Sequence, residues 1–404
     1  MKHIIIGTGA AGMAAAGTIR EIDPEARITM ISEDDTVHSR CLLHYYISGE
    51  RSEKNMSFVS EDFFEKNSID RIMGKKVTAI DAENKIITYD DGTISYDRLL
   101  IATGSESFIP PVGALRTAKN VYGLRHLLDA RNIRKCAETA QNVVIIGAGL
   151  VGLDAAYSLI RLGKKVSVVE VADRILALNL DHYSSKAYRK KFEEAGCSFF
   201  LGKKASDTIC ADGYITSVLL DSGEKLDCDM VIVAAGVRPA MNFPGGGFEC
   251  DRSIIVDDHM RTNIKDVFAA GDVTGLSGIW PNAAMQGKVA AENMCGKDSV
   301  YTDSFANKNT INFFGLETLS VGKLDPEEGD RIVIMEDRRV YKKAVLTGNT
   351  VSGVILQGDI SNSGFWQYLI KNKVALKEGR FVFKTSFADY YGIDSDGSYV
   401  WTVN

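Results

Sequence analysis

The sequence predicts an α/β protein with two doubly wound domains of the same kind and a small α+β domain after them. The chain opens with an apolar run, a glycine-rich turn and an alanine-rich run, and this order returns 140 residues later, with Gly147 in the place of Gly7. Beyond about residue 300 apolar and polar residues alternate instead, which is typical of antiparallel strands.

The first unit runs from an apolar strand at residues 4–6 through Gly7, Gly9 and Gly12 into a helix, and then into a second strand that ends at Glu33. The first glycine lets the chain turn sharply, the second lets backbone N–H groups approach a pyrophosphate, and the third lets the helix pack close to the sheet. The helix N-terminus turns its positive dipole end toward the anion. Because Glu33 can accept hydrogen bonds from a ribose hydroxyl, this order predicts a Rossmann-like dinucleotide-binding unit.

The second unit repeats this pattern, with a strand at residues 142–146, the glycines Gly147, Gly149 and Gly152, and the acid Glu170 at the end of the next strand. An acid at this position favours an unphosphorylated ribose, so we expect NAD rather than NADP. Arg174, four residues after Glu170, leaves the strictness of the preference for NAD over NADP open.

The composition is that of a globular protein, with 45% hydrophobic and 25% charged residues over 404 positions. That length suffices for two or three domains, each with its own core. A net charge of −6 argues against nucleic-acid binding, because phosphate contacts need a basic field. The seven cysteines are scattered and form no CxxC pair, so we expect neither a disulfide framework nor a metal site.

Neither a signal peptide nor a membrane span is expected. The apolar run near the start breaks at Gly7, and the longest apolar stretch, residues 143–160, contains the second glycine turn and Asp154. The cytoplasm is the expected location, while the sequence leaves open whether the protein is a monomer or a homodimer.

The segments around the two units carry further signals. Residues 52–68 are expected to be helical and residues 77–96 to form a small antiparallel meander. Asp272 follows a buried apolar strand, and ligands of doubly wound sheets lie beyond the carboxyl ends of the strands, so we place Asp272 at the cofactor. In the last part of the chain we expect three strands and a helix, at residues 331–335, 340–346, 351–357 and 364–371.

Five motifs occur in one order, namely the two glycine turns and residues 96–104, 231–236 and 268–272. This order resembles the FAD-dependent pyridine nucleotide-disulfide oxidoreductase family, whose fold is glutathione-reductase-like. The resemblance implies that the first unit binds FAD and that the second, inserted unit binds NAD(H). The implied domains are FAD-binding at residues 1–108 and 237–300, NAD-binding at 109–236, and C-terminal α+β at 301–404.

The resemblance also implies the residues of both cofactor sites. FAD would be bound by Gly7, Gly9, Ala11, Gly12, Glu33, Arg40, Val77, Thr103, Gly104 and Asp272. NAD would be bound by Gly147, Gly149, Leu150, Val151, Gly152, Glu170 and Gly236.

Within the family, the segments at residues 39–43 and 280–287 are most similar to NADH:rubredoxin reductases and to the flavin part of NADH-dependent nitrite reductases. This implies an NADH-dependent FAD oxidoreductase that passes electrons singly to a small ferredoxin- or rubredoxin-type protein. Two positions depart from family patterns. Asp154 stands where a glutamate is usual, which puts in doubt the salt bridge that this glutamate would make beneath the nicotinamide. Ala10 stands where family peroxidases carry a histidine.

Cys41 supports an alternative function. It aligns with the single redox cysteine of CoA-disulfide reductases and NADH oxidases, although Tyr46 excludes a CxxxxC disulfide. A helix start beside Arg40 would lower the pKa of this thiol, and His44 could serve it as a base. The alternative is therefore an NADH-dependent disulfide or persulfide reductase, or an NADH oxidase, that uses Cys41.

A third hypothesis is an NAD-sensing flavoprotein without turnover, whose C-terminal domain binds a regulator. The basic run at residues 338–343 is open to two interpretations, a docking surface for an acidic electron carrier or an ordinary solvated strand.

Overall fold

The computed structural model describes residues 1–243, 246–303, 308–377, 379 and 381–401. The chain divides into two compact units, which are described separately. The first comprises Met1–Val171 and Cys197–Ala306, and the second comprises Ala172–Gly196 and Asn307–Asn404. Both glycine turns therefore belong to the first unit, and the finer division into three domains stays a prediction.

The first unit contains two parallel sheets of five strands each. Across the first sheet the strands are Val267–Ala269, Arg98–Ile101, Lys2–Ile6, Arg27–Ser32 and Ile69–Met73. Across the second they are Val121–Tyr122, Met230–Val233, Asn142–Ile146, Lys165–Glu170 and Ser198–Leu201. In both, the strand before the glycine turn is central and has the next strand on one side and a later strand on the other. This arrangement opens a crevice at the carboxyl ends of the strands.

Helices cover these sheets, which explains why the central strands are apolar on both faces. The helices of this unit are Ala10–Ile22, Leu43–Ile47, Phe63–Lys66, Leu127–Cys136, Leu150–Arg161 and Trp280–Met294, and its 3₁₀ helices are Arg40–Leu42, Glu53–Met56 and Asp272–Thr274. A methyl group on Gly287 would lie 2.1 Å from the carbonyl oxygen of Ala11. Two of the long helices therefore meet backbone to backbone at this glycine.

A two-stranded ribbon connects the parts around the two sheets. Ser105–Ser107 pairs antiparallel with Val237–Pro239, and Arg238 lies opposite Glu106. Two antiparallel three-stranded sheets complete the unit, with strands Val77–Asp81, Ile86–Tyr89, Gly92–Ser95, Ala205–Ala211, Tyr214–Leu220 and Lys225–Asp227. The meander expected at residues 77–96 is thus confirmed.

The helix expected at residues 52–68 is wrong in extent. The structure forms only Glu53–Met56 and Phe63–Lys66 there. Between them the Ser57 hydroxyl donates a hydrogen bond to the carbonyl oxygen of Val59 at 2.8 Å. Such local side-chain bonds compete with helical hydrogen bonding, so the stretch breaks into two short turns.

The second unit is an antiparallel sheet with helices. Across the sheet the strands are Lys308–Phe313, Leu316–Gly322, Thr350–Gln357, Tyr341–Thr347 and Asp330–Glu336, and the other elements are the helices His182–Glu194 and Ser363–Lys371, the 3₁₀ helices Val382–Lys384 and Phe387–Asp389 and the hairpin Tyr391–Ile393 with Tyr399–Trp401. The buried hydroxyl of Tyr188 lies 3.0 Å from both the carbonyl oxygen of Ile311 and the hydroxyl of Thr318. This contact anchors the first of these helices to the sheet.

Among the residues that the structure describes, no helix has both the length and the apolar character needed to cross a membrane.

Candidate functional site

A cavity of about 610 Å³ lies at the carboxyl ends of the first parallel sheet. Nine of the ten residues that the sequence assigned to FAD border it, namely Gly7, Gly9, Ala11, Glu33, Arg40, Val77, Thr103, Gly104 and Asp272. The tenth, Gly12, does not border the cavity and packs against the backbone of Gly7. Cys41 and Trp280 also border the cavity, so residues from distant parts of the chain meet at one site.

The glycine turn at residues 7–12 forms a cradle that side chains would fill. Gly7 has a φ of +108°, and a methyl group on it would lie 2.2 Å from the carbonyl oxygen of Ala102. A methyl group on Gly12 would lie 2.0 Å from the carbonyl oxygen of Gly7, whereas one on Gly9 meets nothing within 4 Å. Gly7 and Gly12 thus fix the turn, and Gly9 leaves its outer face open. These features fit the close approach of a dinucleotide pyrophosphate.

Glu33 and Val77, two residues of the set assigned to FAD, border the cavity. The side chain of Glu33 is 60% exposed, and one of its carboxylate oxygens lies 3.5 Å from the Nζ atom of Lys76. Val77 follows that lysine. Glu33 is therefore accessible to a ribose hydroxyl, in competition with the ion pair.

Asp272 begins a 3₁₀ helix and borders the same cavity. The Ser105 hydroxyl donates a hydrogen bond to it at 2.9 Å, and Arg125 forms an ion pair with it. Behind it, the buried Gln286 accepts a hydrogen bond from the N–H of Gly271 at 2.7 Å. These contacts hold the carboxylate at the cavity.

Arg40 belongs to a charged cluster in the cavity wall, and the sequence analysis missed the other members of this cluster, Asp34, Glu106 and His126. Arg40 Nη2 lies 3.1 Å from the Asp34 carboxylate, and Arg40 Nη1 donates to the carbonyl oxygen of Arg125 at 2.9 Å. His126 Nε2 lies 2.8 Å from Glu106, and its Nδ1 lies 3.3 Å from Asp34. The one signal in the sequence was the pair Arg125-His126, which directly precedes the helix Leu127–Cys136.

The charges of this cluster shift one another's pKa values. Burial alone would lower the pKa of His126, but its hydrogen bonds to Asp34 and Glu106 outweigh burial and raise that pKa to about 9. Burial would raise the pKa of Asp34, yet the His126 bond and Arg40 bring it to about 2. The pKa of Glu106 is lowered by the same histidine against the effect of burial. At neutral pH the cluster holds two carboxylates and two cations.

The pKa expected for Cys41 is wrong in direction. Cys41 is a free thiol that is exposed to the cavity, yet burial by the surrounding protein raises its pKa, and Asp154 raises it further. Cys41 lies within a single 3₁₀ turn, Arg40–Leu42, which supplies little dipole. The guanidinium of Arg40 binds Asp34 instead. The thiol form therefore predominates at neutral pH.

His44 turns toward a carboxyl group. Its Nδ1 lies 3.5 Å from the Asp154 carboxyl, and its ring packs against Tyr45. Burial lowers the pKa of His44 to about 4, with Arg51 contributing, and burial raises the pKa of Asp154 to about 8 although 26% of that side chain stays exposed. The group that this nitrogen faces is thus Asp154. A role of His44 as a base for Cys41 stays untested.

The second glycine turn, at residues 147–152, repeats the geometry of the first. Gly147 also has a φ of +108°, and a methyl group on it would lie 2.3 Å from the carbonyl oxygen of Ala234. A methyl group on Gly152 would lie 2.0 Å from the carbonyl oxygen of Gly147. Gly149 has nothing within 4 Å, and Val151 on the following helix is 40% exposed. The second turn offers the same kind of open cradle.

Glu170 lies at this second turn, where its carboxylate accepts a hydrogen bond from the N–H of Ala148 at 2.7 Å. The other residues assigned to NAD lie on the same loops, with Leu150 at the start of the helix and Gly236 at a φ of +101° after the strand Met230–Val233. In the second unit, the guanidinium of Arg174 donates to the carbonyl oxygens of Leu180 and Ala177 at 3.3 and 3.2 Å.

Two glycine cradles at the carboxyl ends of two parallel sheets define a protein class with two dinucleotide sites, as in flavoprotein oxidoreductases that use a nicotinamide nucleotide. Comparison with known families agrees. Residues 1–287 match "Pyridine nucleotide-disulphide oxidoreductase", and residues 308–374 match "Rubredoxin NAD+ reductase C-terminal domain". The chain belongs to the pyridine nucleotide-disulphide oxidoreductase family.

Individual relatives extend over nearly the whole chain. It is 30% identical to the NADH-dependent phenylglyoxylate dehydrogenase subunit epsilon of Aromatoleum evansii, over 93% of this chain and 92% of that protein. It is also 30% identical to the nitrite reductase [NAD(P)H] of Bacillus subtilis (strain 168), over 93% of this chain but only 48% of that protein. The chain thus spans about half the length of this second relative.

A solved structure is similar along the same length. The covalent putidaredoxin reductase–putidaredoxin complex contains a chain that matches with a TM-score of 0.83 and 26% identity, over 93% of this chain and 94% of that one. The predicted family, fold class and oxidoreductase class are confirmed, and the predicted cofactors, FAD and NAD(H), are those of this family.

Proposed function

We propose that this protein is an NADH-dependent flavoprotein reductase that delivers electrons to a small iron–sulfur or rubredoxin-type protein. The observation that carries the proposal is the combination on one chain of two dinucleotide cradles with a C-terminal region of the rubredoxin reductase type. The similarity to a reductase crystallised with its small redox partner supports the same class of partner.

The residues that border the cavity at the first parallel sheet each have a role in this proposal. The cradle at residues 7–12 and Arg40 hold the FAD phosphates, Glu33 and Val77 face the adenosine, and Asp272 fixes the remainder of the cofactor. When bound, the flavin accepts a hydride from the nicotinamide and can release electrons one at a time.

The second cradle places the nicotinamide nucleotide. Glu170 would accept hydrogen bonds from the ribose while its other contact, the N–H of Ala148, keeps the carboxylate oriented. This assigns residues 1–108 and 237–300 to FAD binding and residues 109–236 to NADH binding, with residues 301–404 as the C-terminal domain.

The second candidate function is a disulfide or persulfide reductase that uses Cys41. A free thiol exposed to the cavity favours it. A raised pKa opposes it, because the thiolate is the reactive form. We therefore place transfer to a redox protein first.

An anaerobic NADH titration of the holoprotein and of Cys41→Ser separates these functions. We expect both proteins to take up one electron pair, that of the flavin, and to reduce a rubredoxin- or ferredoxin-type acceptor at similar rates. An extra electron pair in the wild type alone would contradict the proposal and favour the Cys41 route. Flavin reduction without turnover of any acceptor would favour an NAD sensor. The same preparations show by sedimentation whether the protein is a monomer or a homodimer.

A further inference from the structure

The charged cluster of Asp34, Arg40, Glu106 and His126 connects three segments of the first unit. Asp34 and Arg40 follow the strand Arg27–Ser32 of the first sheet, and Glu106 lies on the ribbon that links the two sheets. His126 directly precedes the helix Leu127–Cys136. The imidazole of His126 thus joins the cofactor cavity to the ribbon that links the two parallel sheets.

The protonation of His126 decides which bonds Arg40 can make. Glu106 only accepts hydrogen bonds, so Nε2 of His126 keeps a proton in either state. In the cationic ring Nδ1 also carries a proton and donates to Asp34, 3.3 Å away. In the neutral ring Nδ1 is an acceptor, and Nη1 of Arg40 lies 3.1 Å from it, at hydrogen-bond distance. The neutral imidazole therefore captures a guanidinium N–H that the cationic form leaves available.

The charge of the cluster changes at the same step. With His126 protonated, two cations balance two carboxylates. With His126 neutral, the cavity wall carries one excess negative charge, which opposes an anionic pyrophosphate. Arg125 does not offset it, because that side chain forms an ion pair with Asp272.

We propose that His126 is a positioning residue for FAD, whose imidazolium, held between Asp34 and Glu106, keeps Arg40 available to the cofactor's phosphates. The proposal rests on the proposed function in that FAD occupies the first cavity. It adds a residue that makes FAD retention depend on pH.

The direction of this dependence follows from the raised pKa of His126. The cation is fully present at neutral pH and is lost as the pH rises through about 9. FAD should therefore be released more readily above that pH. The charged and titratable groups that face His126, Asp34 or Glu106 are Arg40, His38, Arg125 and Asp129. Burial lowers the pKa of His38, so the His38 imidazole stays neutral at neutral and alkaline pH.

The test measures FAD release from the holoprotein by flavin fluorescence, from about pH 7 to about pH 10. We expect the wild type to lose affinity on the order of tenfold across about pH 9, the effect of one charge-assisted hydrogen bond. His126→Asn, which is always neutral, should bind FAD weakly and without this step. His126→Lys should bind well across the range. Glu106→Gln should move the step to lower pH, because one carboxylate no longer stabilises the cation.

The controls separate folding from binding. His182→Asn replaces an exposed histidine of the second unit and should leave the profile unchanged. Far-ultraviolet circular dichroism checks that each variant stays folded over the range. If His126→Asn retains the wild-type profile, the proposal is overturned while the proposed function stands. If the wild type holds no FAD at any pH, both are overturned.

Discussion

Gly12 and Gly17 lie on the same helix, Ala10–Ile22, and differ in what a methyl group would meet. A methyl group on Gly12 would lie 2.0 Å from the carbonyl oxygen of Gly7, and because that oxygen belongs to the backbone it cannot move cheaply. One on Gly17 meets nothing within 4 Å. The two positions form a matched pair for separating packing from helix propensity.

We expect Gly12→Ala to lower the free energy of unfolding by about 3 kcal/mol, as overpacking does, and to impair FAD binding. Gly17→Ala should raise that free energy by roughly 0.5–1 kcal/mol, because alanine favours the helix. Urea unfolding of the two variants and the wild type measures both effects. A Gly12→Ala protein as stable as Gly17→Ala would show that the turn is looser than this geometry.

At the residue scale the sequence predicted what depends on neighbours along the chain and missed what depends on distant partners. The glycines of both turns were predicted because their spacing alone determines the turn. The pKa of Cys41 was predicted wrongly because Arg40 seemed its natural partner. His126 was missed because Asp34, which it contacts, lies 92 residues away. Sequence proximity says nothing about such pairs.

At the scale of elements, the start of the helix His182–Glu194 concentrates several contacts of the second unit. Asp181 caps it by accepting a hydrogen bond from the N–H of Ser184 at 3.0 Å. The same carboxylate accepts one from the hydroxyl of Tyr341 at 2.6 Å and lies 3.4 Å from the buried Nζ atom of Lys343. One side chain thus connects the helix to the strand Tyr341–Thr347.

Asp181→Ala should lower the free energy of unfolding by about 3–5 kcal/mol, because it removes the cap and leaves a buried lysine without this carboxylate. Tyr341→Phe removes one hydrogen bond and should cost about 1 kcal/mol. Urea denaturation followed by tryptophan fluorescence measures both. Equal losses in the two variants would contradict the assigned role of Asp181.

Elements with strong patterns were predicted almost to the residue, as the strands Asn142–Ile146 and Lys165–Glu170 show. The C-terminal sheet was underestimated, with three strands predicted and five found. The two missing strands, Lys308–Phe313 and Leu316–Gly322, are joined by a tight turn in which Phe314 and Gly315 both have positive φ. A phenylalanine in such a turn gives no turn signal, so the hairpin was not visible in the sequence.

At the scale of the whole molecule, the two glycine turns are so alike that their geometry does not by itself assign a dinucleotide to each. Gly9 and Gly149 hold the same place in the two turns, each with extended backbone before its helix and nothing within 4 Å of an added methyl group. Alanine therefore fits at both positions without strain. Its methyl group would instead occupy space that the pyrophosphate needs.

Gly9→Ala should therefore leave the apoprotein's unfolding unchanged and weaken FAD retention by at least about tenfold, since the N–H groups of the turn lose a close, charge-assisted contact. Gly149→Ala should retain FAD and raise the NADH concentration needed for half-maximal flavin reduction by a similar factor. Flavin fluorescence and stopped-flow reduction measure the two effects on the same preparations. Each variant serves as the other's control, because the same change is made in an equivalent turn. If Gly149→Ala lost FAD and Gly9→Ala kept it, the assignment of FAD and NADH to the two glycine turns would have to be exchanged.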